Sequence, residues 1–225
     1  MILNVVLKMI LRSWWRNKVF FLVSVVSLAL GLACTNLLMT YFVHEHGLEG
    51  RNPDRDRMFF LRQDDPMTEG KRVAFAGAEI PPQLKQSYAE VEDFLRLGKL
   101  DLLYCKVNEQ KVEGDFKMLS ADTTLTNFFD YRTEEGSLSQ VLCQPGKVAL
   151  SEACARRLFG GKQAVGKQVE AHFRFGEVRT YEVAAVLKER EQSLLQFDML
   201  IAHDPDFFWG GLTLLKLTPG TDSGH

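Results

Sequence analysis

A long run without charge, residues 19–43, constrains this chain more than any other feature. Its 25 residues (19 through 43) include no Asp, Glu, Lys, Arg or His. As an α-helix the run would be about 37 Å long, whereas the hydrocarbon core of a bilayer is about 30 Å thick. A helix of that length in a soluble protein would show a polar face. The run therefore predicts a transmembrane helix.

The charges that flank this run predict its orientation. Four basic side chains and no acid precede it: Lys8, Arg12, Arg16 and Lys18. The following stretch, 44–57, mixes four acids with three arginines. Because excess Lys and Arg stay on the cytoplasmic side, we expect a cytoplasmic N-terminus, with residues 44–225 outside. A cleaved signal peptide is one alternative, but its apolar region of about 7–15 residues would be shorter than this run. A lipoprotein with Cys34 as the lipidated residue is the other, but the apolar run continues past this cysteine where a polar tether would begin.

Residues 1–18 have the pattern of an amphipathic helix. A polar residue, usually basic, recurs at every fourth position from Asn4, and apolar side chains occupy the other faces. We expect this segment to lie in the cytoplasmic headgroup region, with two tryptophans in the aromatic belt. The residues assigned to the interface are Lys8, Arg12, Trp14, Trp15, Arg16 and Lys18. A simple N-terminal extension of the membrane helix is the alternative.

Small side chains form a stripe along the predicted membrane helix. Ser27, Gly31 and Thr35 are spaced by four residues and so share one face. Such stripes allow a second membrane helix to approach closely. A helix-packing site is one interpretation. Chance spacing is the other, because small residues are common in membrane helices.

Residues 50–225 have the composition of a mixed α/β domain. Pro81 and Pro82 suit the first turn of a helix, and apolar residues follow at helical spacing. Ser151 is a good N-cap for a second helix, which Gly160 would end. The predicted strands are 58–61, 116–121, 147–150, 169–175, 178–187 and 212–217. The predicted helices are 83–97 and 152–159, with a turn or short helix at 127–131.

No pattern in the chain indicates catalysis, a cofactor or a metal. Residues 161–167 nearly match a phosphate-binding loop, but Gln168 stands where that loop needs Ser or Thr. The expected flanking elements are also in the reverse order, because a helix precedes and a strand follows. The net charge of −2 gives no indication of nucleic-acid binding. We therefore predict no catalytic residue, no cofactor and no metal site.

The cysteines leave one question open. None of the four belongs to a C-x-x-C pair, which argues against a zinc or thioredoxin-type site. An oxidising compartment would permit one disulfide among Cys105, Cys143 and Cys154. Free buried thiols are the alternative.

Several stretches together resemble the N-terminal part of MacB/FtsX-type ABC transporter permeases. They include the basic segment and apolar run, the stretch NPDRDRMF at 52–59, and the run VALSEACARRLFG at 148–160. Val165-Gly166-Lys167 and the strand YEVAAV at 181–186 complete the set. The chain departs from the family in having Ala164 for proline and Ala184 for glycine. The near match to a phosphate-binding loop is then a structural turn of the family.

The resemblance implies a fold and a function. The expected fold is α+β: an amphipathic helix, a transmembrane helix, and a MacB-like periplasmic core domain with a βαβ lobe and an inserted β-rich lobe. The expected function is that of a permease subunit, or its N-terminal fragment, in the bacterial cytoplasmic (inner) membrane. Its partners would be a cytoplasmic ABC ATPase, a homo- or heterodimer mate, the lipid bilayer and periplasmic proteins. The chain itself would not be an enzyme.

Two further expectations concern the extent of the chain. A single-pass, membrane-anchored binding or signalling domain is the alternative function, because only one apolar run occurs. If the chain is a permease fragment, we expect the domain to stop short of a helix and strand that would follow residue 217. Such a domain would expose an apolar patch and an unpaired strand edge.

Overall fold

The structure is a computed structural model that describes residues 18–47, 52–64, 72–161, 163–188, 195–204 and 210–221. It divides into two compact units, residues 1–50 and 51–225. The predicted interfacial helix at 1–18 lies outside the described residues except for Lys18, so that prediction stays untested.

The first unit contains one long helix, α1 (Lys18–Gly47). Its segment Lys18–Tyr41 has a mean hydropathy of 2.1 over 24 residues, and none of it is buried within the structure. The length and exposed apolar surface are those of a helix that lipid can surround. The helix predicted at 19–43 is thus present, extended by one residue at its start and by four at its end.

The second unit combines thirteen strands with four short helices among its described residues. The helices are α2 (Ile80–Ser87), α3 (Leu125–Phe128), α4 (Leu138–Cys143) and α5 (Glu152–Phe159). The strands are β1 (Met58–Phe60), β2 (Gln63–Asp64), β3 (Arg72–Val73), β4 (Ala76–Gly77), β5 (Val91–Val107), β6 (Gln110–Glu113), β7 (Lys117–Ala121), β8 (Thr133–Gly136), β9 (Lys147–Ser151), β10 (Gln168–Phe173), β11 (Val178–Leu187), β12 (Met199–Ala202) and β13 (Gly210–Leu217). The predicted α+β class is confirmed.

Six of these strands close into a ring. Hydrogen bonding runs from β5 through β10, β11, β9 and β12 to β7, and β7 pairs with β5 again. The long strand β5 closes the ring because consecutive parts of it pair with two different strands. Leu97 to Asp101 pair with β7, and Leu102 to Lys106 pair with β10. Its first part also pairs with β13, outside the ring.

The core has one cluster on each face of this sheet. Alternate residues of a strand point to opposite faces. In β9, Val148 and Leu150 belong to one cluster and Ala149 to the other. All six ring strands contribute to the first cluster, which therefore fills the ring. Helix α5 adds Leu158 and Phe159 to it after the end of β9. Helices α3 and α4 cover the second cluster. The division into two lobes stays a prediction.

The helix predicted at 83–97 is wrong in its second half. Helix α2 ends at Ser87, and the strand β5 begins at Val91. Asp93, Leu95 and Leu97 are all buried, which is the alternation of a strand and not the spacing of a helix. Pairing with β13 gives this segment a neighbouring strand and overrides its local helical pattern.

Other local predictions are confirmed in detail. The Ser151 side chain accepts a hydrogen bond from the Cys154 amide at 3.2 Å and caps α5. Gly160 ends that helix with φ +65, a left-handed conformation that glycine adopts without strain. Strands β10 and β11 form the predicted hairpin, with Gly176 in its turn.

The cysteines form no disulfide. All four lie within the described part of the chain, and each is a free thiol. Burial raises the pKa of Cys105 to about 12, and it raises the pKa of Cys154 as well. Both thiols therefore stay protonated at neutral pH and behave as small apolar residues of the ring interior.

Candidate functional site

The segment that follows α1 in the sequence enters the second unit through an Asx-type turn. Asn52 accepts a hydrogen bond from the Asp54 amide at 3.0 Å through its side-chain oxygen. Its side-chain amide donates to the carbonyl of Phe128, at the end of α3, at 2.6 Å. A 3-10 turn, Arg55–Arg57, leads from there into β1. The entering chain is thus fixed to the core within a few residues.

A buried lysine on β13 holds the same segment. Lys216 is only 7% exposed, and its ammonium group donates to the Asp54 carboxylate and to the carbonyl of Asn127 at 3.3 Å. The carboxylate of Glu92 lies 3.7 Å away. A buried charge is stable only when it is paired in this way.

Arg57 joins three separate parts of the chain. Its guanidinium group donates to Asp54, to Glu92, and to the backbone carbonyl of Leu217 at 2.7 Å. These contacts connect the entering segment to the start of β5 and to the end of β13. We call Asn52, Asp54, Arg57, Glu92 and Lys216 the entry network.

The ionisation of these groups follows from the contacts. Hydrogen bonds from Lys216 and Arg57 lower the pKa of Asp54. Hydrogen bonds to Asp54 and Glu92 raise the pKa of Arg57. Asp54 and Arg57 therefore stay charged across the physiological pH range.

A second buried carboxylate extends the network into β5. Burial alone would raise the pKa of Asp93, but hydrogen bonds from Lys85, Asn127 and the Phe94 amide lower it overall. Lys85 donates at 2.8 Å and Asn127 at 2.9 Å. Because Asn127 also accepts from Lys216, it links the two groups of charges.

The predicted helix-packing residues lie on α1, in a separate unit from this network. All three are exposed, and a side chain added at Gly31 would meet nothing within 4 Å. The Thr35 hydroxyl donates to the Gly31 carbonyl at 2.8 Å, so the helix itself satisfies this polar group. Lys18 is exposed at the first position of α1, whereas Lys8, Arg12, Trp14, Trp15 and Arg16 lie outside the described residues. The stripe Ser27, Gly31 and Thr35 stays a prediction.

The near match to a phosphate-binding loop is a turn between α5 and β10. Gly161 and Gly166 have positive φ, and the Gly166 amide donates to the Val183 carbonyl at 2.8 Å. The Lys167 ammonium group lies 4.8 Å from the centre of the Phe159 ring. Among the described residues, no group of His, Cys, Asp and Glu could hold a metal ion.

The entry network was not predicted from the sequence. Asp54 and Lys216 are 162 positions apart, so local patterns do not connect them. One signal was available: Lys216 is the one charged residue of the strand β13. A charge within an apolar strand needs a buried partner, which the sequence alone does not identify.

Comparison with known proteins identifies the family. Residues 21–223 match the family described as MacB-like periplasmic core domain. The chain belongs to this family. It matches the N-terminal part of a MacB/FtsX-type permease, in which an apolar helix precedes a periplasmic core domain. It is therefore a membrane protein with an extracytoplasmic domain, as the sequence predicts.

Solved structures support the same fold. A domain assigned to a permease of Porphyromonas gingivalis has a TM-score of 0.60 at 19% identity, with 76% of each chain covered. The periplasmic region of MacB from Actinobacillus actinomycetemcomitans has a TM-score of 0.54 at 11% identity, with 79% of each chain covered. The extracellular domain of the noncanonic ABC-type transporter YknZ from Gram-positive bacteria has a TM-score of 0.54 at 16% identity, covering 72% of this chain and 83% of that one. No curated protein sequence matches the chain.

Proposed function

We propose that the chain is a permease subunit, or the N-terminal part of one, in a MacB/FtsX-like ABC transporter. A cytoplasmic ATPase would drive it, and it would convert ATP-dependent movement of its membrane helices into movement of its extracytoplasmic domain. The observation that carries this proposal is the family match at 21–223, which includes most of α1 as well as the domain. The chain would be non-enzymatic, and ATP hydrolysis would occur on the separate ATPase.

The entry network supplies a physical path for such coupling. Four residues, 48–51, separate the end of α1 from Asn52. Because charged hydrogen bonds tie Asp54 and Arg57 to β13 and β5, a displacement of the entering segment would pull on both strands. Strand β5 then carries the displacement into the ring through the hydrogen bonds with β7 and β10. Packed strands of this kind move as units and do not stretch.

The expected partners follow from the same proposal. The basic flank of α1 supports a cytoplasmic N-terminus in the bacterial inner membrane, on the side where an ABC ATPase would dock. A dimer mate, identical or different, would complete the permease, and periplasmic proteins would contact the outer domain.

The proposal is tested with the full chain in membranes, co-expressed with the ATPase of its own operon. Cys34 and Cys143, the exposed thiols, are changed to Ser, and Phe175, which is 95% exposed, is changed to Cys and spin-labelled. We expect the ATPase to co-purify, and we expect ATP to shift the label-to-label distance between two copies. Asp54→Asn should keep the complex but reduce the shift, because it weakens the attachment to Lys216 and Arg57. Asp101→Asn, at an exposed position, is the matched control.

The outcomes separate the two parts of the proposal. If no ATPase co-purifies, the permease assignment fails, and a single-pass, membrane-anchored binding or signalling domain becomes the better account. In the other case the ATPase co-purifies, and ATP changes the label-to-label distance by the same amount in Asp54→Asn as in the Asp101→Asn control. The permease assignment then stands, but the entry network is not the coupling path.

A further inference from the structure

One carboxamide side chain lies deep within the apolar run of α1. Asn36 is five residues beyond Gly31, the middle residue of the run 19–43. At about 1.5 Å per residue it lies about 7.5 Å from the middle of the span, halfway to the boundary of a hydrocarbon core about 30 Å thick. Long side chains such as that of lysine extend to the headgroups from such a depth, but the short Asn36 side chain does not.

The helix satisfies two of its hydroxyl groups but not this carboxamide. The Ser24 hydroxyl donates to the Phe20 carbonyl at 2.9 Å, and the Thr35 hydroxyl donates to the Gly31 carbonyl at 2.8 Å. Asn36 is exposed on the surface of α1, and its side chain has no hydrogen-bond partner within the part of the chain that the structure describes. A carboxamide has two N–H donors and an acceptor oxygen. Lipid chains offer no partner for either, so an open carboxamide in hydrocarbon is costly.

The residues around Asn36 allow a second helix to approach it. Ala33 and Thr40 lie about one turn before and after it on the same face. Small side chains let the backbones of membrane helices come close, and Asn side chains form hydrogen bonds across such contacts. This face is about 140° around the helix from Gly31. Ala29 lies about two turns before Asn36, where helices that cross at Asn36 have moved apart.

The chemistry of the carboxamide identifies its partner. One carboxamide matches another, because the amide group of each donates to the oxygen of the other and two hydrogen bonds result. A two-fold axis beside Asn36 brings two such groups together, and this is the symmetry by which identical chains most commonly pair. The Thr40 hydroxyl, on the same face, is an acceptor for the remaining amide proton. A partner that only donates or only accepts would leave part of the carboxamide open.

We propose that α1 pairs with α1 of a second copy of this chain through Asn36, with Ala33 and Thr40 at the contact. The reciprocal carboxamide pair holds the two membrane helices at a fixed register. The inference rests on the proposed function in one respect, because it makes the dimer mate of the permease an identical copy. Its test contains neither the ATPase nor ATP, so it can fail while the permease assignment stands.

Disulfide crosslinking between copies tests where the contact lies. In the first variant the exposed thiols Cys34 and Cys143 are changed to Ser, and Ala33→Cys places one thiol on the Asn36 face. In the second variant only Cys143 is changed, so Cys34 remains at nearly the same depth but about 100° further around the helix. Copper phenanthroline oxidises the thiols of the full chain in membranes. We expect a covalent dimer in the first variant and little in the second, since Cys34 faces away from the pair.

Three substitutions test whether the carboxamide itself holds the pair. Asn36→Leu keeps the size of the side chain and removes its hydrogen bonds, whereas Asn36→Gln keeps the carboxamide. Thr35→Val is the matched control, because the hydroxyl that it removes bonds within its own helix. All three are made in a chain without Cys34 and Cys143.

Dimerisation of these variants is measured in lipid vesicles by energy transfer between copies that carry dyes at Phe175→Cys. We expect Asn36→Leu to weaken dimerisation about three- to tenfold, as loss of hydrogen bonds between membrane helices does. Asn36→Gln should weaken it less than Asn36→Leu, and Thr35→Val should leave it unchanged. Asn36→Leu makes α1 more apolar, so its insertion into the membrane is retained.

Three outcomes would overturn the inference. One is that Ala33→Cys crosslinks two copies no better than Cys34 does. Another is that Asn36→Leu dimerises as tightly as Thr35→Val. The third is that Ala33→Cys crosslinks to a different membrane protein in place of a second copy, because another helix would then cover Asn36.

Discussion

The most informative residue of the domain is Lys216, a buried charge in an apolar strand. We expect Lys216→Met to lower the free energy of unfolding by about 1–3 kcal/mol, because the Asn127 carbonyl and the nearby carboxylates lose their donor. Lys99→Met, at an exposed position with its partner 4.0 Å away, should change stability by less than about 0.5 kcal/mol. Urea unfolding of both variants measures the difference.

The loss of stability in Lys216→Met should depend on pH. Lys216 is the main cause of the lowered pKa of Asp54, whose ordinary value is 3.8. A carboxyl group with a lowered pKa stabilises the fold fully above its ordinary value and loses that effect as pH falls through the folded value. The stability difference between wild type and Lys216→Met should therefore be full at neutral pH and shrink below pH 3.8. A difference that grows towards low pH would contradict this assignment.

Among the elements, the edge strand β8 depends on one glycine. Gly136 has φ +76, and a side-chain carbon added there would lie 2.0 Å from the Ala184 carbonyl oxygen of β11. Gly146 has a similar φ of +78 but open space around it. We expect Gly146→Ala to cost about 1 kcal/mol from backbone strain. Gly136→Ala should cost about 2 kcal/mol more, since the strands must separate. If urea unfolding shows that both variants lose the same free energy of unfolding, β8 is not held closely against β11.

The stripe on α1 leads to a prediction for the membrane helix. Gly31→Leu would fill the open face between Ser27 and Thr35, so it should reduce crosslinking of α1 to another membrane helix in intact membranes. Ala29→Leu adds similar bulk about 200° around the helix and should leave crosslinking unchanged. If both variants crosslink as the wild type does, the spacing of the stripe is incidental.

Elements whose start, end or turn is marked by residues within the element itself were predictable from the sequence. Helix α5 has its cap at Ser151 and its stop at Gly160, and the hairpin of β10 and β11 has its turn at Gly176. Strand β5 was not predictable in full, because it follows a proline-led helix whose apolar spacing continues into it. Ring closure was also beyond local patterns, since Leu97 pairs with Ala121 and Leu102 pairs with Phe173. Such pairings depend on contacts that are distant in sequence.

At the scale of the whole molecule, the sequence predicts a topology that experiment can decide. Alkaline phosphatase is active only outside the cytoplasm, and β-galactosidase is active only inside it. Fused after Gly50, the phosphatase should be active and the galactosidase inactive, because the basic residues before α1 remain in the cytoplasm. Fusions that replace the chain after Asn17 should give the reverse pattern and serve as the control.

The basic residues before α1 are the physical cause of this topology. Removing their charges tests whether they determine it. Replacing Lys8, Arg12, Arg16 and Lys18 together with Gln leaves the apolar length of α1 intact, so insertion should continue. Orientation should shift towards the reverse, because the three arginines of 44–57 are then the only excess of Lys and Arg beside the span. Phosphatase activity after Gly50 should fall and galactosidase activity should rise in the same strain. Unchanged activities would show that the folded domain beyond residue 50, and not the charge asymmetry, determines which side it occupies.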